Sequence, residues 1–280
     1  MLEETETTSD SAGVAPTEWS RWARARDASV SRAHGPLALV ATHWLGDGLA
    51  GGLGDEPAER FDGVPGLWLA AGRRVRVRAA ASEGLLLDGV AIDGERLLNP
   101  DLSEAPDVLT HGERKLVPII REGTLALRVY DPASAGRQAF AGIDRYPHDP
   151  ALVFPARYEP YVHGHVERVL NADGRERGLA LDGDVVFDLG DDEYRLAATR
   201  DGATLSITFG DATNGPDTFG FRQLTVATPR PGSDATVVDF NRATLPPCAF
   251  SDHFICPVPP VGNRLPVAMA GGEKRVAGVG

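Results

Sequence analysis

"KLVPIIREGTLALRVYD", residues 115–131, is two apolar runs separated by Arg121, Glu122 and Gly123. Each run has the length and the Val, Ile, Leu and Tyr content of a strand. The Glu-Gly pair between them supplies a hairpin reversal, with glycine taking the positive φ that such a turn requires. The same pattern recurs on both sides. "RRVRVRAAA" (73–81) alternates cleanly, "RVLNADGRERGLALDGDVVFDL" (168–189) predicts turns at Asp173-Gly174 and Asp182-Gly183, and "YRLAATRDGATLSITFG" (194–210) predicts one at Asp201-Gly202. With 32 Gly and 21 Pro in the chain, and no amphipathic run of helix length between strands, the crossover helices of a parallel sheet are missing. The fold class that follows is mainly β: antiparallel β sandwich or barrel-like modules, one N-terminal amphipathic helix, and a long proline-rich C-terminal loop. The helix is "TEWSRWARARDASVSR" (17–32), where Trp19, Trp22, Ala23 and Val30 share a face, Thr17 stands as N-cap and Gly35-Pro36 as the stop.

A chain of 280 residues, 42% hydrophobic and 24% charged, is long enough for one large core or two smaller ones. Residues 1–15 are Glu, Thr, Ser, Asp and Gly with little to bury and read as a disordered acidic tail. Prolines crowd "AFAGIDRYPHDPALVFPARYEP" (139–160), which places a break near residue 146. The expected organisation is a helix plus β module over 16–145 and a second β module over 146–280, with one continuous domain as the alternative. Runs such as "GLWLAAG" and "GPLALVAT" fall well short of the roughly 20 residues of a membrane helix, and the acidic start is unlike a signal peptide. A net charge of −12 opposes attraction to nucleic acid or anionic lipid. The expectation is a cytoplasmic protein with no nucleic-acid or membrane partner, whose two cysteines, Cys248 and Cys256, are reduced.

The C-terminal third holds the most specified irregular backbone. "FGDATNGPDTFGF" (209–221), "DFNRATLPPCAF" (239–250), "CPVPP" (256–260) and "NRLPVAMAGGEK" (263–274) together resemble the hallmark of an uncharacterised prokaryotic family, domain of unknown function 1684. "EWSRWARARDASVSRAHGPLALVATHWL" (18–45) and "IIREGTLALRVYDP" (119–132) are similar to its early segments, so the likeness extends over most of the chain. Two departures stand out: "TFGFRQL" where the family has Tyr-Gly-x-Gly-Arg, and Thr244-Leu245 where it has Tyr-Asn before Pro-Pro-Cys. The resemblance implies no reaction.

The residues themselves offer two accounts of this region. On a strand beginning "TVVDFN", Asp239 and Asn241 project from one face beside Arg242. Side chains of this type most often satisfy the backbone of a neighbouring loop. The same atoms also suit acid–base catalysis: Asp211 and Asp239 as paired carboxylates in one recess, with Asn241, and with Arg222, Arg242, Arg264, Thr213 and Asn263 binding the substrate and setting the two pKa values apart. No cofactor is called for by any motif.

Other constellations carry less. Tyr161, His163, His165 and Glu167 in "YVHGHVERV" fall on one strand face and form a minority metal hypothesis, against a solvent-facing polar strand. Cys248, His253 and Cys256 have zinc-like spacing without an obvious fourth ligand; a disulfide-closed loop and two buried thiols are the alternatives, the last preferred. "GDGLAGGLGD" (46–55) lacks the Gly-Lys-Ser/Thr of a phosphate loop, and no Gly-x-Ser-x-Gly elbow is present. Trp19, Trp22, Trp44 and Trp68 read as core seals before they read as pocket walls.

Three functions remain in view. The leading expectation is a cofactor-independent enzyme of hydrolase, lyase or cyclase type acting on a small organic substrate. The alternatives are a noncatalytic small-molecule-binding β protein, and a protein-interaction or homodimerisation module built on the proline-rich segment.

Overall fold

The computed structural model describes residues 17–46 and 58–278. The acidic tail expected over 1–15 and most of the glycine loop at 46–55 lie outside these residues. In chain order the elements are α1 (Thr17–Val30), β1 (Leu39–Leu45), β2 (Glu59–Phe61), β3 (Val64–Ala71), β4 (Arg74–Ala79), β5 (Leu85–Leu87), β6 (Val90–Ala91), β7 (Gly94–Leu98), β8 (Leu109–His111), β9 (Arg114–Arg121) and β10 (Thr124–Tyr130). There follow α2 (Ala135–Ala139), β11 (Gly142–Arg145), β12 (Val153–Leu170), β13 (Glu176–Leu189), β14 (Asp192–Asp201), β15 (Thr204–Phe209), β16 (Arg222–Ala227), β17 (Ala235–Asp239) and β18 (Glu273–Ala277). Every strand pairing in the sheets is antiparallel, so the fold is mainly β, as the hairpin signals predict.

The hairpin at 115–131 forms as read. β9 pairs with β10 in continuous register from Arg121↔Thr124 to Lys115↔Tyr130, and both turn residues have positive φ, Glu122 at 46° and Gly123 at 85°. This hairpin is the centre of a sheet ordered β1-β10-β9-β8-β5-β6, which shares a core with a sheet ordered β2-β3-β4-β7. Trp68 and the valines of "RVRV" point inward to that core, while the arginines between them point out.

The second assembly is ordered β16-β15-β14-β13-β12-β17, and its edge strands β16 and β17 run beside each other, so the sheet is nearly closed. Its inside is filled. Phe240 meets the rings of Phe154, Phe187 and Phe209 at 5.9, 5.6 and 5.4 Å, with Leu196, Ile207, Leu224 and Val226 around them. A small barrel packed in this way has no room for a ligand along its axis.

Three local expectations are corrected. Asp182-Gly183 is not a turn: β13 runs straight through it. Gly183 serves instead for close approach, since a Cβ there would lie 2.5 Å from the Glu159 carbonyl and 2.7 Å from the Tyr158 ring, beside the irregularity in β12 between Pro160 and His165. The helix stops at Val30, ahead of Gly35-Pro36, because Ser31 closes the last turn on the Asp27 carbonyl with both its N–H and its hydroxyl, and the chain folds back over that end. The β17 strand ends at Asp239, because its carboxylate accepts the Asn241 N–H and starts a single 3-10 turn over Phe240–Arg242. Asp239 and Asn241 therefore do not alternate along one strand.

Between the two assemblies run α1, β11, β18 and the proline-rich stretch. Val30, Leu37, Ile143, Leu245 and Phe250 form one small core there, and Leu39, Phe221, Cys248, Phe254 and Cys256 another. Gly272 is one of the tight points of this join: φ is 76°, and a Cβ would stand 2.4 Å from the Ala243 carbonyl. Gly272→Ala is expected to lower stability by well over about 1 kcal/mol in urea denaturation, whereas Gly215→Ala, also at positive φ but with open space around it, should cost only about 1 kcal/mol.

Candidate functional site

The residues singled out in the hallmark are gathered into three networks, each built on backbone. In the first, Asp211 and Arg222 form an ion pair at 2.6 Å with both side chains fully buried. The other carboxylate oxygen of Asp211 accepts the Thr213 N–H at 2.7 Å and its hydroxyl at 2.5 Å. Arg222 lies 5.3 Å over the Phe209 ring and donates to the carbonyls of Met269 and Gly271. Burial of a guanidinium is tolerated here because almost all its donors are met, although its Nε has no partner among the described residues.

In the second network Asn241 is fully buried and its amide brackets one residue: Oδ1 accepts the Asp149 N–H and Nδ2 donates to the Asp149 carbonyl, both at 2.8 Å. Asp239 accepts from the Asn241 N–H and amide and pairs with Arg242, which itself reaches Glu18 of α1. In the third, Asn263 fills a split in the barrel. β14 and β15 pair only over Thr199–Asp201, and beyond that the Asn263 side chain meets the Ala197 N–H and carbonyl and the Thr208 carbonyl at 2.7 to 2.9 Å. Arg264 is exposed, next to Gly210.

The structure thus brings Asp211, Thr213 and Arg222 together, and separately Asp239, Asn241 and Arg242. No side chain belongs to both groups. The other constellations disperse as well. Among the described residues no group of three His, Cys, Asp or Glu is placed to hold a metal ion, which corrects the minority reading of His163, His165 and Glu167 and the zinc spacing of Cys248, His253 and Cys256. The strand irregularity between Pro160 and His165 breaks the alternation on which the first depended, and Tyr161 bonds Asp184 instead. Cys248 and Cys256 are buried and unbridged. The four tryptophans do not form one wall: Trp68 is in the sandwich core, Trp19 and Trp22 of α1 meet the Asn241 carbonyl and Arg242, and Trp44 lies within 5.5 Å of the guanidinium groups of Arg175 and Arg177.

A hollow opens elsewhere, where the sandwich meets the barrel. It has a volume of about 300 Å³ and is walled by Leu102, Val169, Leu179, Ile255 and Pro257, with Arg121, Glu122, Asn171 and Arg177 as its polar groups. The charges at its rim are already paired: Arg121 with Asp101, Arg177 with Asp173, and Glu122 with Arg168. The Gly178 N–H, and then Arg168, hold the Glu122 carboxyl below its usual range. The bond to Asp173 raises Arg177 above the ordinary arginine value. Asn171 is 5% exposed, and its Nδ2 donates to the carbonyls of Val169 and Arg175. Leu102, by contrast, is 74% exposed at the rim. Sequence reading missed this hollow, whose walls come from segments far apart in the chain.

With this geometry in hand, residues 138–274 match the family model described as protein of unknown function (DUF1684). Over those residues, just under half of the chain, the sequence is similar to that family. The DUF1684 segment begins after β10, so the stretches 18–45 and 119–132 that resemble the family's early segments lie outside the match. The three backbone networks fall within it apart from Glu18, whereas the hollow straddles its boundary, with Leu102, Arg121 and Glu122 on the other side. A solution NMR structure of an uncharacterized protein from Haloarcula marismortui is 28% identical, covering 49% of this chain and 79% of that one, with a TM-score of 0.40. No curated protein matches the sequence.

The Asp211–Arg222 pair generates a direct expectation. Asp211→Asn leaves a buried guanidinium uncompensated and should destabilise the protein by about 3 to 5 kcal/mol in chemical denaturation. Arg264→Ala, at an exposed side chain, should stay within about 0.5 kcal/mol.

Proposed function

We propose that the protein is a noncatalytic small-molecule-binding β protein whose site is the hollow between sandwich and barrel. The observation that carries this is the chemistry of its wall: aliphatic side chains around about 300 Å³, an exposed leucine at the mouth, and the side-chain amide of Asn171 among them. Such a wall favours a compact, mostly apolar ligand. Because the rim arginines and Glu122 are each neutralised by a partner, a strongly charged ligand gains little there. What favours binding over carboxylate catalysis is the state of Asp211, which is sealed from solvent with both oxygens engaged, while Asp239 is engaged with a different set of residues. A cytoplasmic setting fits the two unbridged thiols, and no helix among the described residues is long and apolar enough to cross a membrane.

The check is a thermal-shift screen of small neutral amphiphiles on the full chain, followed by titration of hits. Binders should raise Tm in a concentration-dependent way, equivalent to about 2.7 kcal/mol at a hundredfold excess over Kd, with no change in the compound. Leu179→Trp, which fills a half-buried position in the wall, should abolish that shift while leaving the Tm of the free protein nearly unchanged. Turnover of a hit that survives Leu179→Trp but is lost in Asp239→Asn would restore the enzymatic account.

A further inference from the structure

Cys248 and Cys256 are the only two cysteines of the chain, and the fold sets them against each other: the Cys248 N–H donates to the Cys256 sulfur at 3.3 Å. Both are buried in the small core formed with Leu39, Phe221 and Phe254. A hydrophobic wall alone makes thiols inert, but this one contains a charge. Arg128 of β10 lies 5.1 Å over the Phe254 ring, and its buried Nε has no partner among the described residues. The two sulfurs are not equivalent. Donation from the Cys248 thiol, then the Cys248 N–H and the Arg128 charge, pull the Cys256 thiol below its usual range against the opposing effect of burial. Cys248, whose proton is shared toward Cys256 in a buried setting, is pushed up.

We propose that Cys256 and Cys248 are a peroxide-reactive dithiol, with Cys256 the attacking sulfur and Cys248 the resolving one. Hydrogen peroxide is the oxidant because it is small enough to reach a sulfur in a residue only 6% exposed, where a bulky disulfide is excluded. The Cys256 thiolate attacks one peroxide oxygen; the O–O bond breaks, an S–O bond forms, and hydroxide leaves and takes up the proton that Cys256 gave up. The Cys248 sulfur then attacks the sulfenic sulfur, forming the S–S bond and breaking the S–O bond, and water leaves with the Cys248 proton. Two thiols lose two electrons in all, and one peroxide becomes two waters.

The test uses the full chain, fully reduced, exposed to stoichiometric hydrogen peroxide, then alkylated and mapped by mass spectrometry. A Cys248–Cys256 crosslink within one chain, with loss of both free thiols, is the expected result. Cys248→Ala should stop at a sulfenic acid on residue 256 that a cyclic diketone traps, and Cys256→Ala should slow thiol loss at least tenfold. Arg128→Met should slow it severalfold. The wild-type map stands even if a variant fails to fold. Thiols that stay reduced in the native protein but oxidise once it is unfolded in urea, a crosslink only between chains, or an unchanged rate in Cys256→Ala would each overturn the assignment.

Discussion

Arg222 is a permanent charge placed with no exposure at the start of a barrel strand, and the end of the barrel is organised around it. Its partner Asp211 sits just past the end of β15, and its other acceptors are carbonyls of Met269 and Gly271, on the way to the last strand. An ion so buried is tolerated only when its donors are met by well-placed acceptors, so three separate segments must arrive together for any of them to be stable there. Two residues beyond Gly271, Glu273 continues the arrangement with the opposite sign. Also fully buried, it accepts from Arg26 of α1, from Arg145 of β11 and from the Leu245 N–H. The C-terminal segment thereby links barrel, helix and connecting strand through two adjacent buried ionic centres.

This arrangement accounts for the irregular stretch between β17 and β18. A buried chain without strand partners must satisfy each N–H and C=O in some other way. Asn241 and Asn263 do so by imitation: each side-chain amide presents a donor and an acceptor with the spacing of a peptide group, Asn241 to Asp149 and Asn263 across the gap between β14 and β15. The prolines between them lack an N–H and so reduce the number of donors to be met, while fixing the path of the loop. Serving as a wedge between two assemblies is a role that regular strands, with open edges, fill poorly.

The sequence makes the strands legible because turn chemistry is local. Glu122-Gly123 and Asp201-Gly202 announce reversals by residue type alone, and the chain obeys. Asp182-Gly183 fails by the same logic: glycine there answers to a strand crossing close by, a fact that depends on residues near 160 and leaves no trace in its neighbours. The candidate site is far less legible. Aspartate, asparagine, threonine and arginine are the residues of acid–base chemistry and equally of backbone satisfaction, and only burial and partner geometry separate the two. Nothing in the letters distinguishes an Asp211 that faces solvent from one sealed against Arg222. The hollow was illegible for a different reason, since its walls come from the 98–103 loop, the tip of one hairpin, the end of another and the 255–257 segment, which meet only after both β assemblies have docked.

That last segment would join the two proposed sites into one mechanical unit. Cys256 lies between Ile255 and Pro257, both walls of the hollow, and the chain around it is pinned to the β12–β13 hairpin: the Ala172 N–H donates to the Cys256 carbonyl at 2.8 Å and the Val258 N–H to the Leu170 carbonyl at 2.9 Å. Disulfide geometry is narrow, so closing a bond to Cys248 acts on the backbone of residues 255–257, whereas a ligand resting against Ile255 and Pro257 acts on the same backbone from the other side. Two equilibria that share one stiff segment are linked, and the linkage runs equally in both directions: whatever the occupied hollow does to the ease of oxidation, oxidation must do to the affinity of the hollow. The sign depends on whether the bonds to Leu170 and Ala172 hold when the sulfurs approach. Because the Cys248 N–H already reaches the Cys256 sulfur in the reduced protein, the displacement needed is small, and those two backbone bonds are the elements that resist it.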